Sequence, residues 1–221
     1  MTARLPWSRI HTVLLDMDGT LLDLRFDNHF WRELVPARYA ERHGLSLARA
    51  RVEVTARTRV VEGTLAWYCL DYWSRELALD IVTLKREIAH LIAVHPHVLE
   101  FLDAVRAAGK RVVMVTNAHP HSLALKMEKT RLSGHFDAII SAHELGLVKE
   151  QPEFWPRLQE REPFEPATTL LVDDHPGILH AARAYGVGYP VWAARPDSTH
   201  PPRPPGEFPA IHDFSELLPV A

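Results

Sequence analysis

Apolar and polar positions fall into two regimes along the chain. Between about Asp27 and Ala93, apolar residues recur at three- and four-residue steps with few strand-like alternations. That spacing predicts helices around Phe30 to Leu34 and over residues 47–60, 65–79 and 81–92. Elsewhere short uninterrupted apolar runs alternate with amphipathic stretches. The runs at 13–15, 111–116, 137–140, 169–172 and 187–193 read as strands buried on both faces. The stretches at 98–108, 122–130, 153–160 and 176–185 read as helices, the first closed by Gly109 as a C-cap.

Strands alternating with helices imply right-handed crossovers and a doubly wound parallel sheet, an α/β fold with helices on both faces. The helical block after the first strand is too long for a simple crossover and reads as an inserted cap. The expected division is an α/β core of residues 1–24 and 95–221, with a helical cap of residues 25–94. The stretch from Pro196 to Pro209 is dense in proline and lacks periodicity, which predicts extended surface coil.

Composition narrows the function classes. The chain of 221 residues can bury one good core, and its formal charge of −3 argues against a general binder of nucleic-acid polymers. The single cysteine, Cys69, cannot form an internal disulfide, no secretory signal precedes the first strand, and no apolar run is long enough to span a membrane. The expectation is a cytoplasmic protein; oligomeric state is not legible.

The first strand carries the most chemical information. Val13, Leu14 and Leu15 run directly into Asp16, Met17, Asp18, Gly19 and Thr20. In open α/β sheets ligands bind beyond the carboxyl ends of the strands, where carboxylates are costly unless a partner or a metal joins them. Thr116, Asp173 and Asp174 lie at other predicted strand ends, and Lys149 sits in a connection on the same edge. Several carboxylates gathered there suit Mg²⁺, and a metal with threonine and lysine donors is a phosphate-binding composition.

These residues form a familiar series. Asp16-x-Asp18-Gly19-Thr20, Thr116-Asn117, Lys149 and Asp173-Asp174 resemble, in order, the four motifs of the haloacid dehalogenase (HAD) superfamily of phosphohydrolases, and the helical block matches the position of its C1-type cap. The resemblance implies that Asp16 is the nucleophile, forming an aspartyl-phosphate, and that Asp18 exchanges protons with the leaving group and water. It implies Mg²⁺ held by Asp16, the Asp18 carbonyl and Asp174, with Thr116, the backbone near Asn117 and Lys149 holding phosphoryl oxygens. Two departures stand out: Asp173-Asp174 replaces the commoner glycine–aspartate pattern, and Glu150 follows Lys149 where a proline is usual. Asp173 is then a supporting or alternate ligand.

Bland readings accompany each residue. Asp16 and Asp18 could cap a loop, Asp173-Asp174 could cap the next helix, Thr116 could merely end a strand and Lys149 could be solvated. Asp27, Asn28 and His29 could approach a substrate or start the first cap helix. The aromatics Trp67, Tyr68, Tyr72 and Trp73 read as core before ligand platform. His119 and His121 alone make a weak transition-metal signal, since the family's metal is held by oxygens. The segments from Leu22 to Trp31, Trp67 to Trp73 and Thr116 to His121 are similar to bacterial HAD-type GMP/IMP nucleotidases, which implies a purine 5′-mononucleotide as substrate. Alternatives are phosphatases of sugar phosphates or phosphoglycolate, a phosphomutase, or a non-catalytic regulatory protein on the same scaffold. A 2-haloacid dehalogenase would not need Asp18.

Overall fold

The computed structural model describes residues 5–220; residues 1–4 and Ala221, part of the expected core, lie outside the described residues. Six parallel strands form one sheet in the order β3-β2-β1-β4-β5-β6. They are β1 (Thr12–Leu15), β2 (Arg111–Thr116), β3 (Ala138–Ser141), β4 (Thr169–Asp173), β5 (Tyr189–Ala193) and the short β6 (Ala210–Ile211).

Side chains of β1 alternate between two apolar layers. Val13 and Leu15 face a cluster with Val98, Phe101 and Phe214, while Leu14 faces Phe154, Trp155 and Leu179. Each of these β1 side chains is fully buried, worth about 1.5–3 kcal/mol apiece. Connections run outward in opposite directions from β1 and β4, so their carboxyl ends flank a topological switch point. That crevice receives Asp16, Asp18, Asp173 and Asp174.

The helical block inserted after β1 comprises α1 (Arg25–His29), α2 (Val35–His43), α3 (Leu47–Val61), α4 (Leu65–Tyr68), α5 (Leu70–Leu77) and α6 (Ile81–Glu87). They pack around their own apolar cluster, including Phe26, Phe30, Trp73 and Ile81. Two differences from the periodicity are informative. The single helix expected over 65–79 is broken at Cys69, which is extended (φ −83°, ψ 111°) and caps α5 by accepting a hydrogen bond from Tyr72 N–H at its Sγ. The turn Phe30–Leu34 is π-helical, with Val35 N–H reaching back to Phe30 C=O, just before Pro36, which has no N–H for the Arg32 carbonyl. The two chain passages joining these helices to the sheet run side by side, Asp23 N–H donating to Ala93 C=O and His95 N–H to Leu21 C=O.

Helix α7 (Val98–Ala107) leads into β2, and α8 (Pro120–Thr130), α9 (Ala142–Leu145), α10 (Phe154–Arg161) and α11 (Pro176–Tyr185) follow it. The proline-rich stretch 196–209 forms no helix or strand and is mostly exposed, as its composition predicts, but both of its ends are anchored. Pro196 C=O accepts from Leu24 N–H, Asp197 is buried against Asn28, Phe208 enters the core, and the chain then adds β6 to the sheet. Proline removed the periodicity that would have announced these contacts, but not the contacts themselves.

Candidate active site

Asp16 continues the β1 ladder, its N–H donating to Val172 C=O, so its carboxylate emerges where the sheet ends. Gly19 follows in a left-handed conformation (φ +84°), and a Cβ there would lie 2.9 Å from the Asp174 carboxyl carbon. Only glycine lets the turn pass so close to that acid.

Lys149 is buried at the centre of the crevice. Its Nζ donates to Asp16 Oδ1 (2.5 Å), Asp173 Oδ2 (2.7 Å) and Val115 C=O (3.0 Å). Asn117 positions it from behind: the Asn117 side-chain oxygen accepts from Lys149 N–H (3.0 Å), and its amide donates to Glu150 (2.8 Å). Thr116, also buried, accepts from Ala118 N–H through its hydroxyl oxygen, which keeps its own proton to donate. The solvated reading of Lys149 is therefore excluded by its geometry.

Carboxylate oxygens of Asp16, Asp173 and Asp174 lie within 4.8 Å of one another. Both oxygens of Asp173 are taken, by Lys149 and by His175 N–H. Asp174 Oδ2 meets Arg203 at 3.1 Å, leaving Oδ1 uncommitted. Asp174 thus has ligand capacity that Asp173 lacks. Burial, then the neighbouring carboxylates Asp173 and Asp16, push Asp174 well above the ordinary carboxyl range; one lysine and one arginine do not offset three acids. A divalent cation fits this oxygen set and would relieve that repulsion.

Asp18 stands outside this cluster. Its Oδ1 accepts from Lys126 Nζ (2.5 Å), which also donates to Asp27 (2.6 Å), and Asp27 in turn accepts from Lys85 (2.7 Å). A buried chain of alternating charge therefore connects Asp18 through α8 to α1 and α6. Burial raises both Asp16 and Asp18 to about 6, against the opposing pull of Lys149 and Lys126 respectively. Both acids are thus pushed in the same direction. A cation among Asp16, Asp173 and Asp174 would ionise Asp16 selectively and leave Asp18 able to carry a proton.

Above Asp18 opens a cavity of about 530 Å³, walled by Trp31, Trp67, Tyr68 and Trp73 and reached by Arg32 and Arg51. Tyr68 O–H donates to Glu150 (2.8 Å), so the residue that stands where a proline is usual ties α4 to the Asn117 loop. Asp27 and Asn28 line the cavity, while His29 is exposed. The sequence pattern missed Lys126 and Arg203, and marked Glu150 only as a departure without assigning its contacts. For Lys126 a signal existed: it is flanked by Leu125 and Met127, on the stripe that α8 buries.

An acid-lined crevice at the switch point of a parallel sheet, covered by inserted helices, marks a doubly wound α/β protein with an acidic centre. The haloacid dehalogenase-like hydrolase family model matches residues 10–186, and the chain belongs to that family as a phosphohydrolase. The chain is 39% identical over 219 residues to the GMP/IMP nucleotidase YrfG of Escherichia coli K12, covering 99% of both. It is 30% identical over 185 residues to a phosphoglycolate phosphatase of Nitrosospira multiformis, covering 80% of each. Among solved structures, a HAD phosphatase from Thermococcus onnurineus superposes with a TM-score of 0.76 at 23% identity, covering 94% of this chain and 96% of that one. The L-2-haloacid dehalogenase of Xanthobacter autotrophicus gives 0.57 at 18%, covering 84% and 78%. These two likenesses carry the fold alone. No helix among the described residues is long and apolar enough to cross a membrane.

Proposed function

We propose that the protein is a Mg²⁺-dependent 5′-nucleotidase that hydrolyses 6-oxopurine mononucleotides, GMP and IMP, to nucleoside and phosphate. The observation that carries this reading is the aromatic cavity over Asp18. At about 530 Å³ it suits a nucleoside and is far larger than a two-carbon acid requires. Trp31, Trp67 and Tyr68 offer faces for a purine. Arg32 and Arg51 offer only donors, which suit the O6 and N7 acceptors of guanine and hypoxanthine and oppose the 6-amino donor of adenine. The 39% identical nucleotidase supports the same choice.

Asp16 attacks phosphorus while Asp18 gives its proton to the departing 5′ oxygen. Asp18, now ionised, takes a proton from the water that hydrolyses the aspartyl-phosphate. Lys149, the Thr116 hydroxyl and the backbone beyond Asn117 hold the phosphoryl oxygens. Mg²⁺ held by Asp16, Asp174 and the Asp18 carbonyl would supply charge neutralisation at the transferring group. The helices of residues 25–94 act as a cap whose closure excludes bulk water.

Free phosphate release from a panel of phosphomonoesters with Mg²⁺ tests the reading. GMP and IMP should exceed AMP, sugar phosphates and phosphoglycolate in kcat/KM by at least about tenfold, the discrimination of roughly one well-placed polar contact. Preference for phosphoglycolate or a sugar phosphate would overturn it.

A further inference from the structure

Cys69, where the helical pattern breaks, faces two histidines that follow strands of the sheet. Its thiol, the only one in the chain, meets His119 at the start of α8 and His143 in α9. One ligand atom from each lies within 4.8 Å of the other two. The His119 and His143 rings meet edge to face with centroids 5.0 Å apart. His143 Nε2 is buried yet has no hydrogen-bond partner among the described residues. Asp71, in the first turn of α5, brings a carboxylate oxygen to 3.7 Å from His119 Nε2.

We propose that Cys69, His119 and His143 form a second metal site, for a thiophilic divalent cation of the zinc class, separate from the acidic cluster. One sulfur and two imidazoles are a ligand set of that class, whereas Mg²⁺ takes oxygens. In tetrahedral geometry neighbouring ligand atoms sit about 3.5 Å apart, so side-chain shifts of about an ångström complete the triad. The fourth position falls to water or to Asp71. The thiol releases its proton to solvent as the metal–thiolate bond forms.

Position gives the site its effect. Cys69 and Asp71 belong to the helices inserted after β1, while His119 and His143 follow β2 and β3 on the sheet edge. A bound ion therefore pins those helices onto the catalytic edge and slows turnover by holding the cavity closed. This consequence, unlike binding itself, rests on the nucleotidase reading.

Cobalt(II) separates the two sites spectroscopically, because a sulfur-to-cobalt charge-transfer band in the near ultraviolet can arise only at Cys69. With excess Mg²⁺ present, Co²⁺ titration should raise that band to saturation at one equivalent, and one equivalent of Zn²⁺ should bleach it. Cys69→Ser keeps an acceptor for Tyr72 N–H and should remove the band. His143→Ala keeps the thiol and should weaken Co²⁺ binding at least about tenfold. No band in the wild-type protein, or a band of equal affinity in His143→Ala, overturns the site. Zn²⁺ should slow phosphate release from IMP in the wild type and lose at least about tenfold in potency against Cys69→Ser. Equal inhibition of both overturns the clamp while leaving the spectroscopic result to judge binding.

Discussion

Replacing Lys149 by methionine isolates the electrostatic centre of the crevice. The side chain keeps its approximate length, but Asp16 and Asp173 lose a cation at 2.5 and 2.7 Å. Asp173 is fully buried and Asp16 nearly so, so water cannot take its place. Breaking a buried ion pair on one side typically costs about 3–5 kcal/mol. For a chain of this size each kcal/mol lowers Tm by about 2–4 °C, so the metal-free variant should melt roughly 6–20 °C below the wild type. Thermal melts in a chelator, at a pH well above the raised carboxyl range, measure this. Added Mg²⁺ should recover more Tm in the variant than in the wild type, because the ion then neutralises acids that Lys149 no longer serves. Turnover should stay low even with Mg²⁺, since a phosphoryl contact is gone. A metal-free Tm within about 2 °C of wild type, under one kcal/mol on the same scale, would refute the claim that Lys149 carries this charge balance.

Three further outcomes follow from the same geometry. Asp18→Asn keeps the shape beside Lys126 but cannot exchange a proton, so kcat should fall about 10²–10⁴-fold while Mg²⁺ binding, read by the Mg²⁺-induced Tm shift, is retained; loss of that shift would count against a proton-transfer role. In metal-free protein Asp16 and Asp18 bind protons more tightly folded than unfolded, so the stability they contribute is present below about 3.8 and lost as pH rises through about 6. Mg²⁺ needs the ionised acids, so the Tm gain it gives should grow across that window; a gain independent of pH would contradict the metal assignment. Gly19→Ala places a methyl 2.9 Å from the Asp174 carboxyl at a positive φ, and should weaken Mg²⁺ affinity in isothermal titration more than it lowers Tm.

Much of the catalytic edge was legible because strand burial and chemistry coincide in sequence. Val13 to Leu15 must be buried, and the acids that follow must therefore sit at the sheet edge; Thr116, Asp173 and Asp174 obey the same rule. Lys149 was placed by its connection, though its contacts with Asp16 and Asp173 needed the fold. What escaped depends on contacts across long stretches of chain. Lys126 reaches Asp18 over 108 residues, and its place on the buried stripe of α8 does not by itself say which acid it meets. Arg203 hides in a proline-rich stretch without periodicity, yet meets Asp174. The break at Cys69 lies inside an apolar spacing that predicts one continuous helix, and His143 stands far from His119 in sequence. Only tertiary closure brings the two imidazoles and the thiol together.

The most direct test is to find where phosphorus goes during turnover with IMP. Acid-quenched reaction mixtures, digested and mapped by mass spectrometry, should show an acyl-phosphate on the peptide holding Asp16, absent in Asp16→Asn. Turnover of IMP with no phosphorylated enzyme, or with phosphate on another residue, would contradict Asp16 as the nucleophile of a nucleotide phosphohydrolase.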